Sequence, residues 1–293
     1  MNTKVMSKHF IVTKYKPEIF GSLSNKSVVF YVDTIHQMES LKDHCRKHEI
    51  HLHCVYLKTK KNLSAINFSE QMEGFPLALE SPGLGKLGNF LKMGEAIRRL
   101  NIRFYFSTDH PDCYKDIRIL ASLGYPCTLI ISGKSADWEA LTELMTYSLF
   151  NAVDHAEIYP FEYSAYYYDP QNQTDYSAVY FRDPSRYVHL VSEGKLAFFP
   201  ENRSSEEIFG LKEFDSYEDN PAYEKIRYRW QEFFLQPTPC ACCKGWRICL
   251  GKYRESIKTN PGCSDFFGEF LDMLDARKEN NTITKPRENI WQP

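Results

Sequence analysis

The sequence predicts an α/β fold, a partial barrel of six βα units followed by a small cysteine-bearing domain near the C-terminus. Three observations carry this expectation. From residue 28, short β-branched or aromatic runs alternate with longer stretches of helical period, the pattern of a mainly parallel sheet. Six such units are too few to close an eight-stranded barrel, so ligand-facing loops are expected at the C-terminal strand ends of an open one. Finally, five of the nine cysteines fall between residues 240 and 263.

The expected strands are residues 28–33 (VVFYVD), 51–57 (HLHCVYL), 75–80 (FPLALE), 102–107 (IRFYFS), 126–132 (PCTLIIS) and 156–161 (AEIYPF). Between them, residues 87–100 read as a helix whose apolar stripe is Leu87, Leu91, Ala96, Ile97 and Leu100. Residues 135–150 read likewise, with Asp137 and Glu139 at the positive end of the helix dipole and Trp138, Leu141, Leu144 and Met145 buried. Pro111 and Asp112 open another helix that stops at Gly124. Residues 162–183, rich in Tyr, Asp and Gln, lack helical period and read as a long loop. A hairpin follows in YVHLVSEGKLAFFP with its turn at Glu193 and Gly194, and a helix over 222–235 leads into the cysteines. The expected division is an N-terminal extension (1–25), the partial barrel (26–165), a linker or loop (166–185), a metal-binding domain (186–280) and a tail (281–293). Tyr187–Phe199 is expected to form a hairpin separate from the parallel strands and adjoining the metal site.

Composition narrows the partners. Basic and acidic residues number 36 and 38, giving a formal charge of −2, so no electrostatic footprint points to nucleic acid or an anionic membrane. The first residues lack an apolar signal stretch, and no run of 18 apolar residues occurs, which places the expected protein in the cytoplasm. In that reducing compartment, clustered cysteines read as metal ligands rather than as a disulfide framework.

The segment PTPCACCKGWRICLGKY presents Cys240, Cys243 and Cys249, with Cys263 following after thirteen intervening residues. Four thiolates on short Gly- and Pro-containing loops suit either a tetrahedral zinc or a cubane iron–sulfur cluster. Gly245, Gly251 and Gly262 allow the chain to bend around the site, and Ser264 is placed to cap a following helix. Cys242 competes with Cys243 as a ligand, although the two-residue gap from Cys240 favours Cys243.

This spacing resembles the SPASM domain of peptide-modifying radical SAM enzymes, whose pattern includes C-x2-C-x5-C-x3-C and a distal cysteine. The resemblance implies one auxiliary [4Fe–4S] cluster on Cys240, Cys243, Cys249 and Cys263. The cysteines for a second auxiliary cluster are missing: Tyr253 stands at the fourth position of the run, and Phe199 ends the G-x4-C counted from Gly194. The six βα units match in number the partial barrel of that family. Its C-x3-C-x2-C motif, which holds the cluster that cleaves S-adenosylmethionine, is absent; Thr34, Ile35, His36 and Gln37 follow the first expected strand, and Cys45 and Cys54 stand alone. The combination is similar to pseudo-radical-SAM proteins of ribosomal-peptide maturation, which implies a noncatalytic role in peptide binding, assembly or electron relay beside a complete maturase and a precursor peptide. The rival reading is an α/β-barrel hydrolase or transferase with a structural four-cysteine zinc site.

Other features have plainer readings. The glycine-rich residues 81–90 match neither phosphate-binding fingerprint and read as a βα turn. Asp109 with His110 reads as a loop or cap rather than an acid–base pair, for want of a third member. His51 and His53 share a strand face. The aromatic tract 157–170 reads equally as a peptide platform and as packing at a junction.

Overall fold

The computed structural model describes residues 9–172, 174–200, 208–228, 231, 235 and 238–279. Its backbone is an α/β arrangement around one mostly parallel ten-stranded sheet. The first strand, β1 (Phe10–Lys14), lies in the segment expected to be an extension. The six expected runs follow as β2 (Ser27–Val32), β3 (His51–Lys58), β4 (Leu77–Glu80), β5 (Ile102–Ser107), β6 (Cys127–Ile130) and β7 (Ile158–Tyr159). All six are parallel neighbours in sequence order. Their residues are buried on both faces, β5 along its whole length, because helices cover the sheet.

The hairpin forms where expected, as β8 (Tyr187–Ser192) and β9 (Lys195–Ala197), turning at Gly194 with φ +67°. It is not separate. β8 lies parallel to β1, pairing Tyr187 with Phe10, and β9 and β10 (Ile208–Gly210) continue the same sheet antiparallel. The strand order is therefore β10-β9-β8-β1-β2-β3-β4-β5-β6-β7. The physical reason is that β1 needs a partner on its second edge, and β8 supplies it.

Helix α1 (His36–Lys47) buries Met38, Leu41 and Cys45 at helical spacing. The helix expected over 87–100 divides into α2 (Leu87–Lys92) and α3 (Gly94–Arg98), since Met93 has φ −94° and ψ 1° and Gly94 is a poor helix former. The division turns Leu87 and Leu91 outward, 39% and 51% exposed, and leaves Phe90, Ile97 and Leu100 to face the sheet. α4 (Cys113–Ser122) stops before Gly124 as expected. α5 (Trp138–Phe150) is capped by Asp137, which accepts from the Ala140 amide at 3.1 Å, and it buries Leu141, Leu144 and Met145.

Where a loop was expected over 162–183, the chain forms α6 (Phe161–Tyr167) and a 3₁₀ turn, Tyr176–Tyr180. Phe161, Ser164 and Ala165 give α6 a buried face at i, i+3 and i+4, a period masked in the sequence by the surrounding tyrosines. α7 (Pro221–Arg227) covers the start of the helix expected over 222–235; much of the remainder and the 281–293 tail lie outside the described residues. The short helix Trp246–Cys249 and the long helix Cys263–Glu279 complete the chain. No described helix is long and apolar enough to cross a membrane.

One continuous hydrophobic core runs from Phe10 to Leu274, so the cysteine-bearing segment packs into the same interior as the strands. Asn260 latches the two together by donating from Nδ2 to the carbonyls of Gly133 (3.0 Å) and Ala136 (2.7 Å). Gly133 leaves room for this contact, because a Cβ there would stand 2.6 Å from Ser256 Oγ and 2.8 Å from Tyr253 Cδ1.

Candidate metal centre and the adjoining cavity

Cys240 lies in a 3₁₀ turn, Pro239–Cys242, Cys243 follows it, Cys249 ends the short helix, and Cys263 begins the long one. Cys240, Cys249 and Cys263 are buried, Cys243 is half-buried, and Cys242 is exposed. Glycines make the convergence possible. A Cβ on Gly245 would lie 2.5 Å from Phe267 Cβ and 2.7 Å from its carbonyl carbon, so only glycine lets the Cys243–Cys249 loop rest on the long helix. Gly262, at φ +119°, turns the chain against Trp138 just before Cys263.

Burial first, and then the charges of Cys249, Cys240 and Cys243, push the Cys263 thiol up to about 11. One thiol thus feels all three others. Cys240 is raised by burial and by Cys243, with Arg254 opposing; Cys249 is raised by burial, with Lys252 opposing. Four mutually repelling thiolates in a half-dry site are unfavourable without a cation, and a bound metal reverses the sign of that term. Ser264 does not cap the long helix. It lies inside the first turn, and its Oγ contacts Cys243 Sγ at 3.4 Å, a weak hydrogen bond of the kind that tunes a metal-bound sulfur. Among the described residues, no three His, Cys, Asp or Glu side chains approach closely enough to hold a single metal ion. The fit to a metal group rests on donor type: four cysteine thiols are soft ligands of the kind that hold zinc or an iron–sulfur cluster.

Cys45, Cys54, Cys113 and Cys127 are core groups. Burial raises Cys45 and Cys113 to about 12 and raises Cys54 and Cys127 as well. The turn after β2 is short: the amides of Asp33 and Thr34 donate to Gln37 Oε1 at 2.8 and 3.3 Å, and α1 begins at His36.

The strand register builds a second feature. Lys58, Glu80, Tyr105 and Thr128 form one lateral row across β3 to β6, and Tyr31 pairs with Tyr56 in the row beneath. Of these, Tyr31, Tyr56, Lys58, Glu80 and Tyr105, with Tyr176, Tyr180 and Tyr253 opposite, line a cavity of about 870 Å³ at the C-terminal strand ends. Phe199 lines it too, so the two positions at which the SPASM pattern would place cysteines face the same space. Tyr253 is fixed there by a 2.6 Å hydroxyl–hydroxyl bond to Tyr176 and by stacking on Phe267. Beneath the cavity, fully buried Arg103 bonds Glu157 at 2.6 Å and lies 3.7 Å over the Tyr159 ring. A single basic residue within an otherwise apolar strand was the only sequence signal for this plug.

The remaining candidates have structural roles. Gly85, at φ +74°, lies so close to Ser64 and Asn62 that a side chain would clash, while Leu84 N donates to Asp116 and Lys86 N to Ser64, so these amides are already engaged. Asp109 accepts from Ser135 (2.6 Å) and Ser107 (2.9 Å), chiefly through the former held below the usual carboxylate range, with His110 beside it. His53 stacks on Phe10 at 4.0 Å, and burial with the nearby Arg186 lowers it to about 4; His51 is exposed. In the aromatic tract, Phe161 packs against Phe270 and Tyr168 donates to Asp275 at 2.6 Å, while Tyr163 and Tyr167 line a neighbouring cavity of about 630 Å³. The chain matches no family model, no curated protein and no solved structure.

Proposed function

We propose that this chain is a noncatalytic pseudo-radical-SAM partner in ribosomal-peptide maturation, combining a partial (β/α)6 barrel with a SPASM-like segment. In this reading Cys240, Cys243, Cys249 and Cys263 hold one [4Fe–4S] cluster in a cytoplasmic protein. The observation that carries it is the Cys263 thiol, which lies within electrostatic reach of three other cysteines drawn from one turn and a short helix. Four soft thiol donors suit a cubane cluster as well as zinc, and the SPASM-like spacing of the run favours the cluster. Lys252 and Arg254 offset thiolate charge, and Ser264 contacts Cys243. Exposed Cys242 stands outside the set.

Bound there, the cluster supplies an electron store or a brace. The chain's own residues argue against the further chemistry of the resembling enzymes. Tyr253 and Phe199 put aromatic rings where a second cluster would need sulfur. The turn of Asp33, Thr34 and Ile35, closed by Gln37, offers no thiolate to a cluster that cleaves S-adenosylmethionine. Any reaction then belongs to a complete maturase acting on the precursor peptide.

Anaerobically purified protein should carry about four irons and four sulfides per chain. Cys249→Ala and Cys263→Ala should lower both, and Cys242→Ala should lower neither. Stoichiometric zinc in place of iron would overturn the cluster. Incubation with reductant and S-adenosylmethionine should release no deoxyadenosine, and release at or above one per chain would overturn the noncatalytic assignment.

A further inference from the structure

The 870 Å³ cavity has the size of a ligand site and no reaction assigned to it. Its walls are unusual in what they present. The hydroxyls of Tyr176 and Tyr253 bond each other, that of Tyr105 donates to the Val179 carbonyl at 3.0 Å, and that of Tyr180 to the Leu129 carbonyl at 2.6 Å. These polar tips are spent inside the protein, so the walls offer ring faces. Tyr31, Tyr180 and Phe199 are the half-buried ones, whose faces a ligand reaches. An aromatic ring in such a slot gains edge-to-face or offset contacts beyond simple burial.

Charge selects what accompanies the ring. The lining holds four cationic side chains, Lys58, Lys60, Arg182 and Lys252, against two carboxylates, Glu80 and Asp109. Neither carboxylate is available to a cationic ligand: Glu80 bonds Lys58 at 2.6 Å and Tyr56, and Asp109 is held by Ser107 and Ser135. Lys252 is committed to Asp175 at 2.6 Å. Lys60 is exposed at the cavity and makes no ion pair or side-chain hydrogen bond among the described residues. Water solvates its ammonium in the free protein, and an anion on a ligand seated in the cavity can take the place of that water.

We infer that this cavity binds an aromatic ring carrying a neighbouring anionic group, supplied either by adjacent aromatic and acidic side chains of a peptide or by a free aromatic carboxylate. The inference rests on the proposed function only for the peptide as source. No thiol of the candidate metal centre lines the cavity, so a ligand there needs no contact with the metal.

The test titrates the full chain, iron-loaded and iron-free, with 4-hydroxyphenylacetate, tyrosol, cyclohexylacetate and N-acetyl-tyrosyl-glutamyl amide, followed by saturation-transfer NMR. 4-Hydroxyphenylacetate should bind about tenfold tighter than tyrosol, which lacks the anion, because a hydrogen bond to a charged group is worth about 1.4 kcal/mol or more. It should also exceed cyclohexylacetate, which lacks the ring. Lys60→Glu should weaken the aromatic acid and leave tyrosol unchanged, with circular dichroism reporting that the variant is folded. Phe199→Ala should weaken both. Tighter binding of the dipeptide assigns a peptide source, and tighter binding of the free acid assigns a small molecule. Equal binding of the three small probes, no binding at all, or a Lys60→Glu variant that retains full affinity for 4-hydroxyphenylacetate overturns the inference. Anaerobically purified protein that binds the probes but carries no iron defeats the cluster reading alone, and iron-loaded protein that binds nothing defeats this one alone.

Discussion

Glu162 sits at the start of α6, where its Oε1 accepts from Ser148 Oγ at 3.2 Å and from the Ile158 amide at 3.3 Å. Burial, helped by the charge of Glu157, pushes its carboxyl up to about 7 from an ordinary 4.5. The folded protein therefore holds a proton that the unfolded chain has released between those values. Stability should fall as pH rises from 4.5 to 7 and level off above, a span worth roughly 3 kcal/mol for this group. Glu162→Gln keeps an acceptor for both donors and removes the titration, so denaturant unfolding of the variant should lose that part of the slope. A variant whose stability profile overlays the native one across this window would exclude Glu162 as its source. Arg103 shows the same economy in another form: its charge is kept in the interior by Glu157 on one side and the Tyr159 ring on the other.

Glycines set how the cysteine-bearing elements meet. Gly245 has φ −73°, a conformation any residue adopts, so its role is the close approach to Phe267 rather than backbone freedom. Gly245→Ala should cost about 1–3 kcal/mol by overpacking and should reduce iron content, since the loop carrying Cys243 and Cys249 must lift. Gly21→Ala, where a Cβ meets nothing within 4 Å, is the matched control and should leave the thermal midpoint unchanged. The sequence made these elements legible unevenly. β2 to β6 and α5 announce themselves because both-face burial and the helical stripe write themselves into residue types, as in IRFYFS and WEALTELM. α6 was illegible because tyrosine serves equally on its buried and exposed faces, Tyr163 being buried and Tyr167 39% exposed. In the candidate centre, the spacing marked Cys240, Cys243, Cys249 and Cys263 and favoured Cys243 over Cys242; the structure adds that Cys242 is exposed and Cys243 half-buried. Neither the Arg103 plug nor the tyrosine-walled cavity could be read beforehand, because each depends on lateral register between strands far apart in sequence.

At the level of the whole molecule, what the sequence concealed is that the segments flanking the expected barrel on both sides join its sheet. β1 is only five residues long and stands before any recognisable βα unit, so it reads as an extension. In the fold it is central: Ile11 pairs with Val28 on one side and with Val188 on the other, joining the hairpin to the parallel strands. Pairing between residues so distant leaves no local trace beyond a short apolar run. The consequence is testable at Ile11, which is fully buried in the continuous core. Truncating a buried Ile to Ala removes its transfer energy and leaves a cavity, a cost of about 2–5 kcal/mol. Ile11→Ala should therefore lower the midpoint of chemical unfolding sharply, whereas exposed Lys14→Ala on the same strand should not. Deleting residues 1–16 should do more, because it strips one edge from β2 and one from β8 at once and leaves two unpaired hydrophobic edges inside the molecule. The truncated chain should lose its single cooperative transition and aggregate. If the segment were a dispensable extension, Ile11→Ala would be neutral and the truncated protein would unfold with the native midpoint; either result would remove β1 from the centre of the sheet.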